Sequence, residues 1–168
     1  PAGRVRPVSA SSVFWDCIQY VRGLADLALE GEADAPFVSV GGASNQRPAE
    51  FLVRELAEDV TFSDRSTSAM GRSGARGCYR VEFAVACEAW CRRPTLAASS
   101  EAVQRWMQLL FERVAADKTL GGLCVHAQPY VGRGGTALDT NKLYTSAFDF
   151  GIRVSAEIDP ARDLETKE

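Results

Sequence analysis

The side chain best suited to acid–base chemistry in this sequence is its single histidine, His126. An imidazole can activate a nucleophile as a general base, but any mechanism that needs two histidines from one chain is excluded. The residues around His126 have a strand-like pattern, and a lone histidine in a strand is more often a hydrogen-bonded structural residue. We therefore expect His126 to have a structural role.

The other reactive side chains are five cysteines, Cys17, Cys78, Cys87, Cys91 and Cys124. Cys87 and Cys91 lie in an alternating, strand-like segment, where positions i and i+4 stand about 13 Å apart at roughly 3.3 Å per residue. Zinc holds its sulfur ligands at about 2.3 Å, so these two thiolates cannot chelate one ion from a strand. The odd number of cysteines favours reduced thiols in a cytosol, and we expect small core or surface residues.

No other motif points to catalysis. The glycine-rich runs at 71–77 and 132–135 match neither the Walker nor the dinucleotide-binding spacing, and both lack the Lys-Ser/Thr pair of a phosphate cradle. Glu58 and Asp59 are adjacent and would point to opposite faces of a strand. A Gly-x-Ser-x-Gly nucleophile elbow is absent from the sequence. We therefore predict that the chain is not an enzyme and needs no cofactor or metal ion.

Length and charge narrow the class of protein further. The chain has 168 residues, which suits one domain of about 150 residues. Lys and Arg total 19 against 22 Asp and Glu, a net charge of -3, so the overall basic character of a nucleic-acid-binding protein is absent. The sequence contains no run of about 18 apolar residues, so it predicts no transmembrane helix.

Apolar periodicity predicts two main helices and several strands. Apolar residues recur every three or four positions in the helical segments, and two long segments alternate as strands with one covered face do. Pro129 either places its strand at a sheet edge or ends the pairing of that strand. The helices are expected after caps at Ser11 or Ser12 and at Ser99 or Ser100, ending near Glu30 and Ala116, and the strands at 36–40, 79–92, 123–131 and 144–158, with one more around Val60 and Phe62.

These elements predict an α+β domain of two layers, with a mostly antiparallel sheet and two main helices packed on one face. The segment 49–57 is ambiguous, because Pro48 and Glu50 favour a short helix whereas the alternation after it favours a strand. The long strand from 79 could project beyond the sheet as an arm. The expected organisation is a flexible arm at 1–10, one domain at 11–159 with extended loops at 63–77 and 131–143, and a charged tail at 160–168.

One segment has a family resemblance. The run Ala-Asp-Lys-Thr-Leu-Gly-Gly-Leu-Cys-Val, at 116–125, follows an amphipathic helix that bears a tryptophan. This order of helix, Asp-x-Thr-Leu-Gly-Gly turn, strand, glycine-rich excursion and long alternating strand resembles the tail terminator proteins of long-tailed bacteriophages. The resemblance covers most of residues 11–159, and the loop at 63–77 and both terminal arms lie outside it.

The resemblance implies a structural protein of the virion with a fold like that of the tail tube subunit. Its subunits would form a homohexameric ring that caps the tail tube, terminates polymerisation and gives the head or neck connector a docking surface. DNA would pass through the lumen without sequence-specific binding, and no membrane would be involved. The protein would be assembled in the host bacterial cytoplasm and end at the neck-proximal end of the tail.

Two loops are the expected contacts with a neighbouring subunit, the tube or the connector. A polar loop of this length inside a domain is usually functional or flexible, and for 63–77 both interpretations stay open. The Asp-x-Thr-Leu-Gly-Gly segment is expected to be a structural turn. The predicted interface residues are Arg65, Arg72 and Arg76 in the first loop, and Arg133, Thr136, Asp139 and Lys142 in the second.

Three alternatives remain open at the level of sequence. Another neck or head-completion protein, or the tail tube protein itself, would share the fold, and a tube protein would stack without limit. A cytosolic enzyme would use His126 or a cysteine thiolate. A small cytosolic binding module would use the loop at 63–77.

Overall fold

The structure is a computed structural model that describes residues 12–41, 48–56, 60–64, 79–139 and 141–158. Two helices and six strands lie within these ranges. In chain order they are α1 (Val13–Leu29), β1 (Phe37–Val40), β2 (Ala49–Leu56), β3 (Thr61–Asp64), β4 (Tyr79–Arg93), α2 (Leu96–Ala116), β5 (His126–Leu138) and β6 (Tyr144–Ile158). Neither described helix is long and apolar enough to span a membrane.

Each helix begins at a side-chain hydroxyl. The Ser12 hydroxyl accepts a hydrogen bond from the amide three residues on, at 3.0 Å, and begins α1 as predicted. Thr95 does the same for α2 at 3.2 Å, so both caps satisfy an amide that has no partner within its helix. The prediction of a cap at Ser99 or Ser100 is wrong, because Ser99 lies inside the helix with its side chain buried against the sheet.

The second layer is a six-stranded sheet in the order β1-β2-β4-β6-β5, with β3 also paired to β4. Only β1 and β2 run parallel, and the other pairs are antiparallel. β4 and β6 pair along their whole length, from Tyr79 opposite Ile158 to Arg93 opposite Tyr144. The predicted α+β fold with a mostly antiparallel sheet is therefore confirmed. Of the two outcomes expected for Pro129, the structure shows the edge strand, because β5 continues to pair with β6 beyond it.

Both helices pack on the same face of the sheet. α1 contacts β1, β2 and β4, whereas α2 contacts β4, β5 and β6, and the two helices contact each other. The alternation of β4 and β6 turns their apolar side chains into this interface. Phe150 lies at its centre, edge-to-face with Phe51 at 5.3 Å and with Phe111 at 5.9 Å between ring centroids. The opposite face of the sheet carries the polar half of each alternating pattern.

The segment 131–143, predicted as an extended loop, is mostly strand, so that prediction is wrong. β5 continues to Leu138, and only the turn from Asp139 to Leu143 separates it from β6. The register shifts between Val131 and Gly134, where a bulge absorbs the irregularity. A Cβ at Gly134 would lie 2.0 Å from the Phe148 ring. The glycines that suggested a loop thus allow an aromatic ring to pack on the strand.

Two other sequence expectations are decided by strand pairing. The ambiguous segment at 49–57 forms the strand β2 over residues 49–56, with Phe51 and Val53 buried. The expectation that the strand from 79 projects as an arm is wrong, because β6 pairs with all of β4. The predicted arm at 1–10, the tail at 160–168 and most of the loop at 63–77 lie outside the described residues.

Candidate functional site

The predicted interface residues divide into two groups. Arg65, Arg72 and Arg76 lie outside the described residues. The structure brings the other four together in the second half of β5 and the turn that follows it. These four residues, Arg133, Thr136, Asp139 and Lys142, therefore belong to one corner of the domain.

Thr136 contributes its hydroxyl to an internal chain of hydrogen bonds. The Ser146 hydroxyl oxygen lies 2.6 Å from that of Thr136 and 2.8 Å from that of Ser99. Ser146 and Ser99 are both buried, and buried hydroxyls require such partners. These hydrogen bonds join β5, β6 and α2, so the Thr136 hydroxyl holds the edge strand to the domain.

Asp139 shapes the turn between β5 and β6. Its Oδ1 atom accepts hydrogen bonds from the amides of Asn141 at 2.8 Å and Leu143 at 3.0 Å. Aspartate side chains often stabilise turns in this way. Lys142 has a φ of 61°, in the left-handed region, and the residue is exposed. Asp139 therefore organises the corner, whereas Lys142 is the residue there with an accessible charge.

Arg133 lies in the bulge of β5 and is exposed. Two exposed apolar residues flank it on the same strand, Val131 with 56% and Leu138 with 60% of its surface exposed. Sequence reasoning missed both of them, because it treated this segment as a polar loop. The signal for them in the sequence is a valine and a leucine on either side of three glycines. The glycines have no side chains that could cover these two apolar residues.

β5 is also an edge strand of the sheet. Among the described strands its only neighbour is β6. An edge strand leaves a row of backbone donors and acceptors available to another chain, and many proteins protect such edges with charge, proline or a covering loop. The exposed second half of β5 is thus the strongest candidate surface for a protein partner.

The segment from Asp117 to Gly122 forms a turn held by hydrogen bonds within the chain, as expected of a structural turn. The Tyr20 hydroxyl of α1 donates a hydrogen bond to the Asp117 carboxylate, which also accepts from the Gly121 amide at 3.0 Å. These bonds, led by the one from Tyr20, lower the pKa of Asp117. Thr119 Oγ1 accepts from the Gly122 amide at 3.2 Å. The segment that carries the family resemblance therefore fastens the end of α2 to α1.

His126 lies on the sheet face away from the helices, at a groove of about 560 Å³. The groove is also lined by Glu82, Tyr130 and Arg153, and the Arg153 guanidinium lies 5.2 Å from the centre of the Tyr130 ring. His126 is exposed. Within the described part of the chain, no hydrogen bond to its imidazole is present, so the expected hydrogen-bonded structural role is not observed.

The described thiols are poorly suited to nucleophilic chemistry. Cys17, Cys87, Cys91 and Cys124 are all free and buried. Burial raises the pKa of Cys17 and Cys87 to about 12 and that of Cys124 to about 11, so these groups stay protonated at neutral pH. Among the described residues there is also no group of three or more His, Cys, Asp or Glu side chains that could hold a metal ion.

Comparison with known proteins gives no family to set beside this geometry. No protein-family model matches the sequence, and no curated protein matches it.

Proposed function

We propose that this protein is a structural virion component of the tail terminator type. Its subunits form a ring, a hexamer in the family that the sequence resembles, which caps the tail tube and stops its polymerisation. The outer surface of the ring then receives the head or neck connector. The proposal starts from the resemblance of residues 116–125 and of the order of elements around them.

The observation that carries the proposal furthest is the exposed edge strand β5. β5 exposes Val131 near its middle and Leu138 at its end, and it has one strand neighbour within the described structure. Apolar side chains beside an open strand edge promote aggregation of a monomer, but they provide a contact surface for a subunit that assembles. A ring needs a contact between two different surfaces of identical subunits, and an edge strand supplies one of them.

The described side chains give less support to the catalytic alternative. Thiols held protonated by burial are weak nucleophiles, and His126 has no carboxylate or backbone partner in the described ranges to orient it. General-base catalysis depends on such an orienting partner. The assembly role is therefore preferred over an enzyme that uses His126 or a cysteine.

The first test is the mass of the purified protein in solution, measured by light scattering after size exclusion. Six subunits of 18.2 kDa would give about 109 kDa. A species of this mass supports the terminator proposal, whereas stacks of unlimited length would indicate a tube protein instead.

The second test addresses function directly. Deletion of residues 65–75 removes Arg65 and Arg72 and should leave a folded chain that fails to complete tails in infected cells. Tail length by electron microscopy and the fraction of tails joined to heads are the readouts. Tails of normal length that join heads normally would count against the assigned role of this segment. Replacement of residues 65–75 by a Gly/Ser linker of equal length controls for the change in chain length.

A further inference from the structure

The described sheet ends in β5 on one side and, on the other, in β1 and in the four-residue β3, which pairs with β4 and carries the charged Asp64 at its end. Along an edge strand, the backbone N–H and C=O of every second residue point away from the sheet. Hydrogen bonds at the ends of β1 and β5 identify which residues these are. The two edges can therefore be compared residue by residue as hydrogen-bonding surfaces.

The second half of β5 offers an open edge. The Asp139 amide donates to the Leu143 carbonyl at 2.8 Å across the turn to β6. Alternation then directs the backbone groups of residues 137 and 135 towards β6 as well. The N–H and C=O groups of Gly134, Thr136 and Leu138 consequently point outward, away from the sheet.

The first half of β5 is closed to a partner strand. The Ala127 amide points outward but donates to the Lys118 carbonyl at 2.7 Å. The next outward position is Pro129, which has no N–H. Both features are devices that block strand addition. The accessible edge is thus limited to residues 134–138, where neither device is present.

β1 provides a second edge of similar length that has no further strand neighbour among the described residues. The Gly41 amide donates to the Val53 carbonyl of β2 at 3.2 Å, so residue 39 also faces β2 and the backbone groups of Val38 and Val40 point outward. β1 has four residues, about 13 Å, and residues 134–138 span about 17 Å at 3.3 Å per residue. Neither stretch contains a charged residue or a proline, the usual guards of an exposed edge.

The side chains of the two stretches are also complementary in size. The β5 stretch, Gly-Gly-Thr-Ala-Leu, is dominated by small residues, and a Cβ at Gly135 would meet nothing within 4 Å. The β1 stretch, Phe-Val-Ser-Val, carries the bulkier side chains. Large residues opposite glycines are favourable cross-strand neighbours, because they cover the exposed backbone.

We propose that β1 of one subunit pairs with residues 134–138 of the next, so that one sheet continues into its neighbour. The two edges lie at opposite ends of the same sheet, so the contact is heterologous, and its repetition forms a closed ring or an open filament. That the array closes rests on the function proposed above, whereas the choice of the two edges rests on the hydrogen-bond directions.

Two substitutions at one position separate a backbone contact from a side-chain contact. Leu138→Pro removes an outward N–H and leaves the bonds to β6 intact, and Leu138→Ala removes the exposed side chain but keeps the N–H. We expect light scattering to give a roughly sixfold lower mass for Leu138→Pro than for the wild type, whereas Leu138→Ala, which keeps the N–H, should retain a mass clearly above that of Leu138→Pro at the same concentration. Thermal unfolding of both variants shows whether they fold.

A photo-crosslinker at position 138 tests the pairing without relying on the proline variant. Peptide mapping of a mixture of isotopically labelled and unlabelled chains should find adducts between position 138 of one chain and residues 37–40 of another. Adducts to residues 126–138 of the second chain would indicate symmetric pairing of two β5 strands and overturn the proposal. An assembled Leu138→Pro variant, or an equal loss of mass in Leu138→Pro and Leu138→Ala, would also overturn it.

The two proposals can fail separately. A wild-type ring whose cross-links map to other residues refutes the edge pairing and leaves the terminator function standing. A chain that stays monomeric without interchain cross-links at its highest attainable concentration also refutes the edge pairing. In that case the terminator function is judged by tail length and head joining alone.

Discussion

Replacing Gly121 by alanine tests whether the turn after α2 is packed against α1 as tightly as the structure indicates. Gly121 has a φ of 67°, and a Cβ there would lie 2.8–3.0 Å from the ring and hydroxyl atoms of Tyr20. The next residue, Gly122, has a φ of 88° and nothing within 4 Å of its Cβ position. The two glycines therefore share a left-handed backbone and differ in what an added methyl group meets.

The expected magnitudes follow from this difference. A left-handed backbone costs an alanine about 1–2 kcal/mol, so Gly122→Ala should lower the free energy of unfolding by about that amount. An extra carbon in a packed site costs about 1–3 kcal/mol more, which applies to Gly121→Ala alone. At about 2–4 °C per kcal/mol for a chain of this size, the melting temperature of Gly121→Ala should lie about 2–12 °C below that of Gly122→Ala.

Thermal and urea unfolding followed by circular dichroism measure both variants. The Tyr20→Ala/Gly121→Ala double variant adds a check, because removing the ring relieves the collision and should make its cost smaller than the sum of the single costs. Equal losses for Gly121→Ala and Gly122→Ala, or strictly additive costs in the double variant, would refute the packing argument.

Three further predictions concern the strand, the turn and the core. Gly134→Ala should destabilise the domain by about 1–3 kcal/mol in urea unfolding, since its Cβ meets the Phe148 ring, whereas Gly135→Ala should cost much less; equal costs would contradict the ring placement. The pKa of Asp117 is lowered in the folded state, so the stabilisation from its carboxylate is complete above the unfolded-state pKa and is lost as the pH falls through the folded-state pKa. Between pH 7 and pH 3, the melting temperature should therefore fall less steeply for Asp117→Asn than for the wild type. Parallel curves for the two proteins would contradict this prediction. Cys87, whose pKa burial raises to about 12, should resist iodoacetamide in the native protein at neutral pH and react on unfolding, as mapped by mass spectrometry; rapid native labelling would place it at the surface instead.

The helices and long strands could be predicted from the sequence because their periodicity reflects burial directly. β6 begins and ends where alternation predicted, and α1 begins at the predicted Ser12 cap. Alternation succeeds in β6 because one face is covered by helices and the other is not. The fold class follows from the same signals, since amphipathic helices and half-covered strands have few ways to bury their apolar faces together.

The second half of β5 could not be predicted in this way. Its glycines suit a bulge and a packed aromatic ring in this fold, whereas in the sequence they indicate a loop. The partners that decide the matter, Phe148 and Ser146, lie on another strand and become visible only in the folded chain. The predicted interface residues of this region therefore stay a prediction, and its open edge depends on long-range hydrogen bonds that the sequence does not show.

The position of β6 within the sheet has a consequence for how the chain acquires its fold. β6 is the last described strand in chain order, yet it lies between β4 and β5. Its pairing with β4 joins residues as far apart as Tyr79 and Ile158, and contacts between such distant residues slow folding. During synthesis, the edges of β4 and β5 that pair with β6 therefore stay unpaired until β6 has left the ribosome. Efficient folding then depends on keeping the nascent chain from aggregating through those edges before the sheet is complete.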